Sequence, residues 1–496
     1  MKRLVNKRPI CFAALALVIG IFLAGMYEDA VWARVLFLAA ALIFAGFVLI
    51  FKKARLLYIP IFFALGVLLL SGVIDVYKST AVSSVKAEIT GTISTEIASK
   101  NEHSYYFKID NVTIDGEETG KQAFVVSGFL PNARAGDKVK IVGDVSTYDM
   151  GFRDFTSYGA RGTKFYVKSK KIENVGQGAL SFDKRVLIKY KRLLYDNCDD
   201  MTSDTALALL FGDRFAIDSQ YSHNVKDAGI LHIFAVSGLH VGMLAAVTAF
   251  LARKLKKALY LLIVEIPLIL YGWICGFGAS VLRAIVMSTV FIVSGLTGRQ
   301  RDSLNSLSIA AIIVLILNPT DMFTKGFHLS FAALLGLIVI VPRLTRKELS
   351  GAKKKVRDIC ATSVGVNVML LPYMVGFFGE VQTLFVISNL IILPILPFIY
   401  TISLVISLFV MILPSCAVIL NALSVVLFPI RFVAQAIGSL PISSVPVQAV
   451  DMFGLAYLLT IFIMSRYVFL PRIKKMALSL VVCAVCVAMI PVIPLL

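Results

Sequence analysis

Residues 230–244 read "ILHIFAVSGLHVGML", a run apolar enough to enter a bilayer that nonetheless carries two histidines, a serine and two glycines. Ionisable groups at bilayer depth are expensive, and those that occur there usually face a cavity, a partner or a transported solute. The stretch therefore reads as a membrane segment broken for a purpose. Composition agrees: of 496 residues 58% are hydrophobic and 16% charged, and the mean hydropathy of +0.84 is far from that of soluble domains. The fold class is a polytopic α-helical membrane protein.

The formal charge of +19 raises the question of where the lysines and arginines fall. They sit mainly in short loops, which makes much of the charge a topology signal. Lys2, Arg3, Lys7 and Arg8 precede an apolar span over 9–26, and Glu28 with Asp29 follow it. The N-terminus is thus cytoplasmic, and the first span is an uncleaved anchor. Spans over 31–51 and 56–76, with "KKAR" at 52–55 between them, leave the polar region 78–200 extracytoplasmic. Further spans at 228–250, 258–276, 279–297, 304–318, 326–342, 358–378, 384–413, 415–437, 450–467 and 476–495 put the basic runs at 253–257, 298–301, 343–357 and 472–475 on the inner side. Pro394, Pro397 and Pro414 interrupt the stretch 384–437 and suit re-entrant half-helices. Seven cysteines, none between 78 and 197, imply no disulfide framework.

Four domains are expected: N-terminal helices over 1–77, an inserted domain over 78–178, a basic linker helix over 179–204 and a channel domain over 205–496. The inserted domain has five β-rich segments, at 85–97, 104–114, 122–130, 137–148 and 163–173, which suit a small OB-like β-barrel. Such barrels bind single strands by stacking bases on aromatics beside a basic track. The candidates are Tyr105, Tyr106, Phe107, Phe152, Phe155 and Tyr158 with Lys164, Lys168, Lys170 and Lys171, although aromatics on strands equally suit a core. The linker "FDKRVLIKYKRLLYD" (182–196) sets Val186, Leu187, Tyr190, Leu193 and Leu194 on one side, with Lys184, Arg185, Lys189, Lys191 and Arg192 around the rest. It is a basic amphipathic helix, suited to anionic lipid or to guiding an anionic polymer.

In the opening stretch Ser237 is placed to cap a helix that starts inside the membrane, its oxygen on the His240 N–H, with Gly238 permitting the break. Such a start aims free N–H groups and the positive dipole end at whatever fills the cavity, favouring anions. His232 and His240 add protonatable groups. Similar polar starts recur at "GFGASVLRA" (276–284) with Arg283 in the first turn, at "GFHLSFAALLG" (326–336) with His328 and Ser330, and at Ser388 and Asn389. Each alone serves helix packing. Together, His232, Ser237, Gly238, His240, Arg283, His328, Ser330 and Asn389 make an aqueous path.

These blocks, with "ALALLFGDRFAIDSQ" and the pre-strand "GFRDFTSYGARGTKF", resemble the ComEC family of bacterial competence proteins, in order from the N-terminal spans to about residue 400. The resemblance implies a channel in the cytoplasmic membrane that passes single-stranded DNA during natural transformation. It also implies an extracytoplasmic DNA-receptor protein and a cytoplasmic ATPase or helicase. Many members end in a metallo-β-lactamase-like domain; this sequence has no HxHxDH, and its five histidines are scattered, so strand degradation is expected from a separate nuclease. No GxxxxGK[ST] loop occurs, no metal or cofactor is implied, and the chain reads as a non-enzyme. Membrane lipid is a partner, and an oligomer is compatible with the sequence. Two other classes use the same residues: an ion- or proton-coupled transporter of a small anion, and an intramembrane serine protease built on Ser237 and His328.

Overall fold

The computed structural model describes residues 8–447 apart from 28–29, 52, 80–83, 96, 102–103, 120–121, 130, 148–162, 215–216, 301 and 346–348, together with residues 476 and 479. Phe152, Phe155 and Tyr158, the span expected at 450–467 and nearly all of that at 476–495 lie outside the described residues. The rest forms two compact units. One lies within Ile10–Asp196 and Ala311–Thr324, the other within Met1–Pro9, Asn197–Ala310 and Lys325–Leu496.

The first unit begins with three apolar helices, α1 (Pro9–Met26), α2 (Val31–Ile50) and α3 (Tyr58–Ser79). Lipid offers helices no hydrophobic reason to associate, so close backbone packing has to supply it. It does so where Gly20 of α1 meets α3: a Cβ there would lie 2.2 Å from the Phe63 carbonyl oxygen. Arg34 of α2, buried, pairs with Asp75 of α3 at 2.6 Å.

Seven strands follow: β1 (Val85–Ile93), β2 (Ala98–Asn101), β3 (Ser104–Ile114), β4 (Glu117–Glu118), β5 (Gln122–Ser127), β6 (Asp137–Thr147) and β7 (Thr163–Gln177). Their order is β1-β6-β7-β5-β3-β2, with β4 beside β3 and β1 paired back onto β3, so five strands form a continuous ring of pairings. β5 and β7 are parallel, whereas the other pairs are antiparallel. Period-two burial fills the inside with Ile89, Phe107, Ile109, Val125, Ile141 and Val167.

The helix α4 (Phe182–Asn197) adds Ile188 to that same core. Ile188, Tyr190, Lys191 and Leu194 are its buried residues, so the stripe is rotated from the one expected and takes in a lysine. Part of the apolar face thus has a protein partner in the sheet.

The second unit contains α5 (Asp200–Phe211), α6 (Ser219–Asp227), α7 (Gly238–Ala252), α8 (Lys257–Ile274), α9 (Ala279–Leu296), the start of α10 (Ser303–Leu317), α11 (Lys325–Val339), α12 (Val341–Leu344), α13 (Gly351–Phe378), α14 (Phe385–Ile392), α15 (Leu396–Ile412) and α16 (Ala422–Gly438). A short antiparallel pair, β8 (Glu380–Gln382) with β9 (Ser444–Pro446), completes it. Seven of the described spans are long and apolar enough to cross a membrane, or eight if α14 and α15, bent by 55°, count as one. The chain is a polytopic helical membrane protein with a β-sheet domain.

Two expected spans are revised. The stretch 228–250 is no single helix: a 3-10 turn at Leu231–Phe234 and an extended step to Ser237 precede α7. With 15 residues, α7 is about 22 Å long, short of a hydrocarbon core of about 30 Å. The stretch 384–413 is the bent pair α14–α15. Inside the unit α5 is buried from Thr202 to Leu210, on every side, as a helix without an apolar stripe must be when it forms the core.

Candidate functional site

The start of α7 is built from its own first residues. Ser237, extended at φ −127°, ψ 175°, is the N-cap, and its Oγ accepts the Leu239 N–H at 3.2 Å. The Ser237 N–H donates to Nδ1 of His240 at 3.2 Å, a histidine variant of the capping box. Accepting there places the proton of a neutral imidazole on Nε2. That atom is buried without a hydrogen bond among the described residues. The ring meets Tyr400 of α15 edge-on, 5.1 Å between centroids.

Arg283 of α9 comes to this helix start. It is 4% exposed. A Cβ on Gly238 would lie 2.8 Å from its Nη2, so the guanidinium occupies the space that only glycine leaves open at the first position of α7. Nη1 donates to the Ser330 carbonyl of α11, and the Phe331 ring lies 5.7 Å away. Nε has no partner, and no carboxylate pairs with Arg283 among the described residues. Ser280 Oγ donates to the Gly326 carbonyl at 3.2 Å, joining the first turns of α9 and α11. Arg283 itself is the fifth residue of α9, in the second turn and not the first.

A positive dipole end and a fixed cation converge here without a counter-charge among the described residues. That is the electrostatic form of an anion site. With Arg283 and His240 buried, the arrangement is closed.

The other expected path residues fall elsewhere. His232 is exposed, with Nδ1 3.2 Å from the Gly229 carbonyl. His328 stacks on Tyr373 and packs against Phe377, both of α13. Asn389 is buried on α14, its Oδ1 without a hydrogen bond.

In the β domain Phe107 is core, whereas Tyr105 is half-buried on β3. Lys164 is buried, its Nζ 5.5 Å from the Tyr77 ring and 5.6 Å from that of Phe165. Lys184 pairs with Asp110. Lys170 pairs with Asp144 at 2.9 Å, and that bond holds the Asp144 carboxyl below its usual range. Lys168, Arg185 and Lys189 are exposed. Strand register also sets Tyr106, Phe124 and Tyr166, half-buried on β3, β5 and β7, in a row that no single segment of sequence reveals. Tyr106 and Phe124 lie 5.9 Å apart, and Phe124 and Tyr166 6.5 Å apart with nearly parallel rings. Lys168 is aligned with Val126 in the next register row.

The profile of the family described as Competence protein matches residues 209–472, more than half of the sequence, and takes in Ser237, Gly238, Arg283 and Ser330. The chain belongs to this family. It is 30% identical to "ComE operon protein 3" of Bacillus subtilis (strain 168) over 38% of this chain and 24% of that protein. It is 26% identical to "Uncharacterized protein YcaI" of Escherichia coli (strain K12) over 39% of this chain and 27% of that one. A Mycoplasma pneumoniae protein, "Uncharacterized protein MG316 homolog", is 26% identical over 35% of this chain and 44% of that one. The matched regions thus span less than half of each of these relatives. No solved structure matches.

This Competence-family chain holds further polar groups between its helices. Arg431 of α16 reaches Asp199 at 3.4 Å and Thr202 Oγ1 at 3.0 Å, at the N-cap of α5. Glu265 of α8 bonds Thr289 of α9 at 2.9 Å. Glu265 was legible, being a lone acid within "LYLLIVEIPLIL" (259–270). The pairing of Arg431 with α5 was not, because it spans 232 residues.

Proposed function

We propose that the chain passes single-stranded DNA across the bacterial cytoplasmic membrane during natural transformation, as a conduit and not an enzyme. The N-terminus is cytoplasmic and the β domain extracytoplasmic. The observation that carries the reading is Arg283, buried against the capped start of α7 with no carboxylate partner among the described residues. Unpaired buried cations are strongly disfavoured unless a ligand supplies the missing charge. A phosphodiester suits the site: it takes paired N–H donors from a guanidinium and further N–H groups from a helix start. Opening of α7 against α9 and α11 would let successive phosphates reach it in turn.

The β domain is an OB-type barrel in this reading, supported by the ring of five strands with one parallel pair, and it meets DNA first. The row Tyr106, Phe124 and Tyr166 offers base-stacking faces, with Lys168 and, on α4, Arg185 and Lys189 for the backbone. A carrier of small anions has no use for that row. An outside DNA receptor delivers the duplex, a cytoplasmic ATPase or helicase draws the strand in, and a separate nuclease removes its complement.

The test is uptake of labelled DNA in a deletion strain complemented with Arg283→Ala. Surface-bound DNA should stay at the wild-type level while labelled strand in the cytoplasm disappears. Wild-type entry in that variant would remove the site from the path.

A further inference from the structure

Glu265 sits on α8 between α7 and α9, 9% exposed, in a helix otherwise apolar around it. Its Oε2 lies 2.9 Å from Thr289 Oγ1, and that same hydroxyl lies 3.0 Å from the Ile285 carbonyl one turn back in α9. A hydroxyl owns one proton, and shared between two acceptors it makes two weakened bonds. Threonine in a helix commonly gives it to the carbonyl four residues earlier. With that proton on the Ile285 carbonyl, both contacts are full-strength hydrogen bonds when Oε2 carries a proton and donates it to Oγ1.

Oε1 points the same way, being buried without a hydrogen bond. As half of a carboxylate it would hold unshielded charge in an apolar surround, whereas as the carbonyl oxygen of an acid it holds none.

Among the described residues, the ionisable groups of the helices around it offer no cation. On α7 there is only His240, engaged at Ser237 and Tyr400. On α9 there is only Arg283, engaged at Gly238 and Ser330. On α8 itself Tyr271 donates to the Leu210 carbonyl at 2.7 Å, Tyr260 joins the apolar cluster of α7, α8 and α9, and Lys257 opens the helix two turns earlier.

We propose that Glu265 is a proton-binding site within the membrane unit: the closed unit holds the carboxyl neutral, and its proton is the link between α8 and α9. Separation of the two helices would hydrate the acid and release that proton, so loading and release follow the opening of the pair that carries Arg283. The ligand is the proton itself. The inference does not depend on DNA being the transported solute.

Infrared difference spectroscopy of the full-length protein in liposomes at neutral pH tests it. The wild type should show the C=O stretch of a buried carboxylic acid. Glu265→Gln, close in shape, should lack it, and Thr289→Val, which removes the acceptor, should keep the band at a higher frequency. A carboxylic band identical in wild type and Glu265→Gln would overturn the proposal. So would loss of a carboxylate band in that variant, which would mean the group is ionised at rest.

Discussion

Two arginines, one in each unit, lie buried among apolar helices, and they are provided for in opposite ways. Arg34 of α2 is 8% exposed and has Asp75 at 2.6 Å. Arg283 of α9 is 4% exposed and has a backbone carbonyl, an aromatic face and the start of another helix. The first ion pair is complete and serves helix packing. The second has no carboxylate among the described residues, and that is the reason to look for an anionic solute.

The largest effect that would break this contrast is Arg283→Met. Removing one charge-assisted contact worth about 1.5–3 kcal/mol should lower strand entry roughly tenfold to a hundredfold. The melting temperature of the purified protein should hold or rise, since an uncompensated buried charge has gone. A fall in stability with unchanged entry would make Arg283 structural.

Gly238→Ala should act next most strongly. The new Cβ meets Nη2 at 2.8 Å, and displacing the guanidinium should cost about 1–3 kcal/mol in a thermal melt, with entry reduced alongside. The paired arginine should behave otherwise. Arg34→Met together with Asp75→Asn should leave stability within ~1 kcal/mol and entry unchanged, because replacing both members of a buried pair is often neutral.

Smaller effects belong to the β domain. If Lys168 and Lys189 touch phosphates, each change to Ala should reduce the salt slope of DNA binding by about one, without sequence preference. Lys170→Ala should move the Asp144 titration up to the ordinary carboxylate range, read by NMR. The sign follows from the lowered value: the Lys170 pair stabilises the fold above the unfolded pKa and is lost as pH falls through the folded one.

Patterns with a local cause were legible in the sequence. Ser237 as a cap depends on residues within one turn, and it caps: its side chain meets the His240 backbone N–H as a capping box requires, with the Leu239 N–H and the His240 ring joining in. The five strands follow from alternation and turn residues, and all five are present. The three N-terminal helices follow from length and hydropathy. Matters of rotation and partner choice were not legible. Lys164, Lys170 and Lys184 read as a free basic track, yet one is buried against aromatics and two are paired with aspartates brought close by strand register and by docking of α4. Gly238 reads as a helix break, and its second role, the seat for Arg283, needs the packing of α7 on α9. His328 shares α11 with Ser330 but points into the aromatic cluster of α13, which no periodicity in α11 alone reveals.

The most direct measurement puts a photoreactive side chain at Leu239, the exposed second residue of α7 beside the guanidinium seat, in cells taking up labelled duplex. The account predicts covalent adducts with one DNA strand at this position, and their loss when Arg283 is changed to Met. Adducts with lipid or protein alone at Leu239, while positions in the β domain still capture DNA, would contradict it.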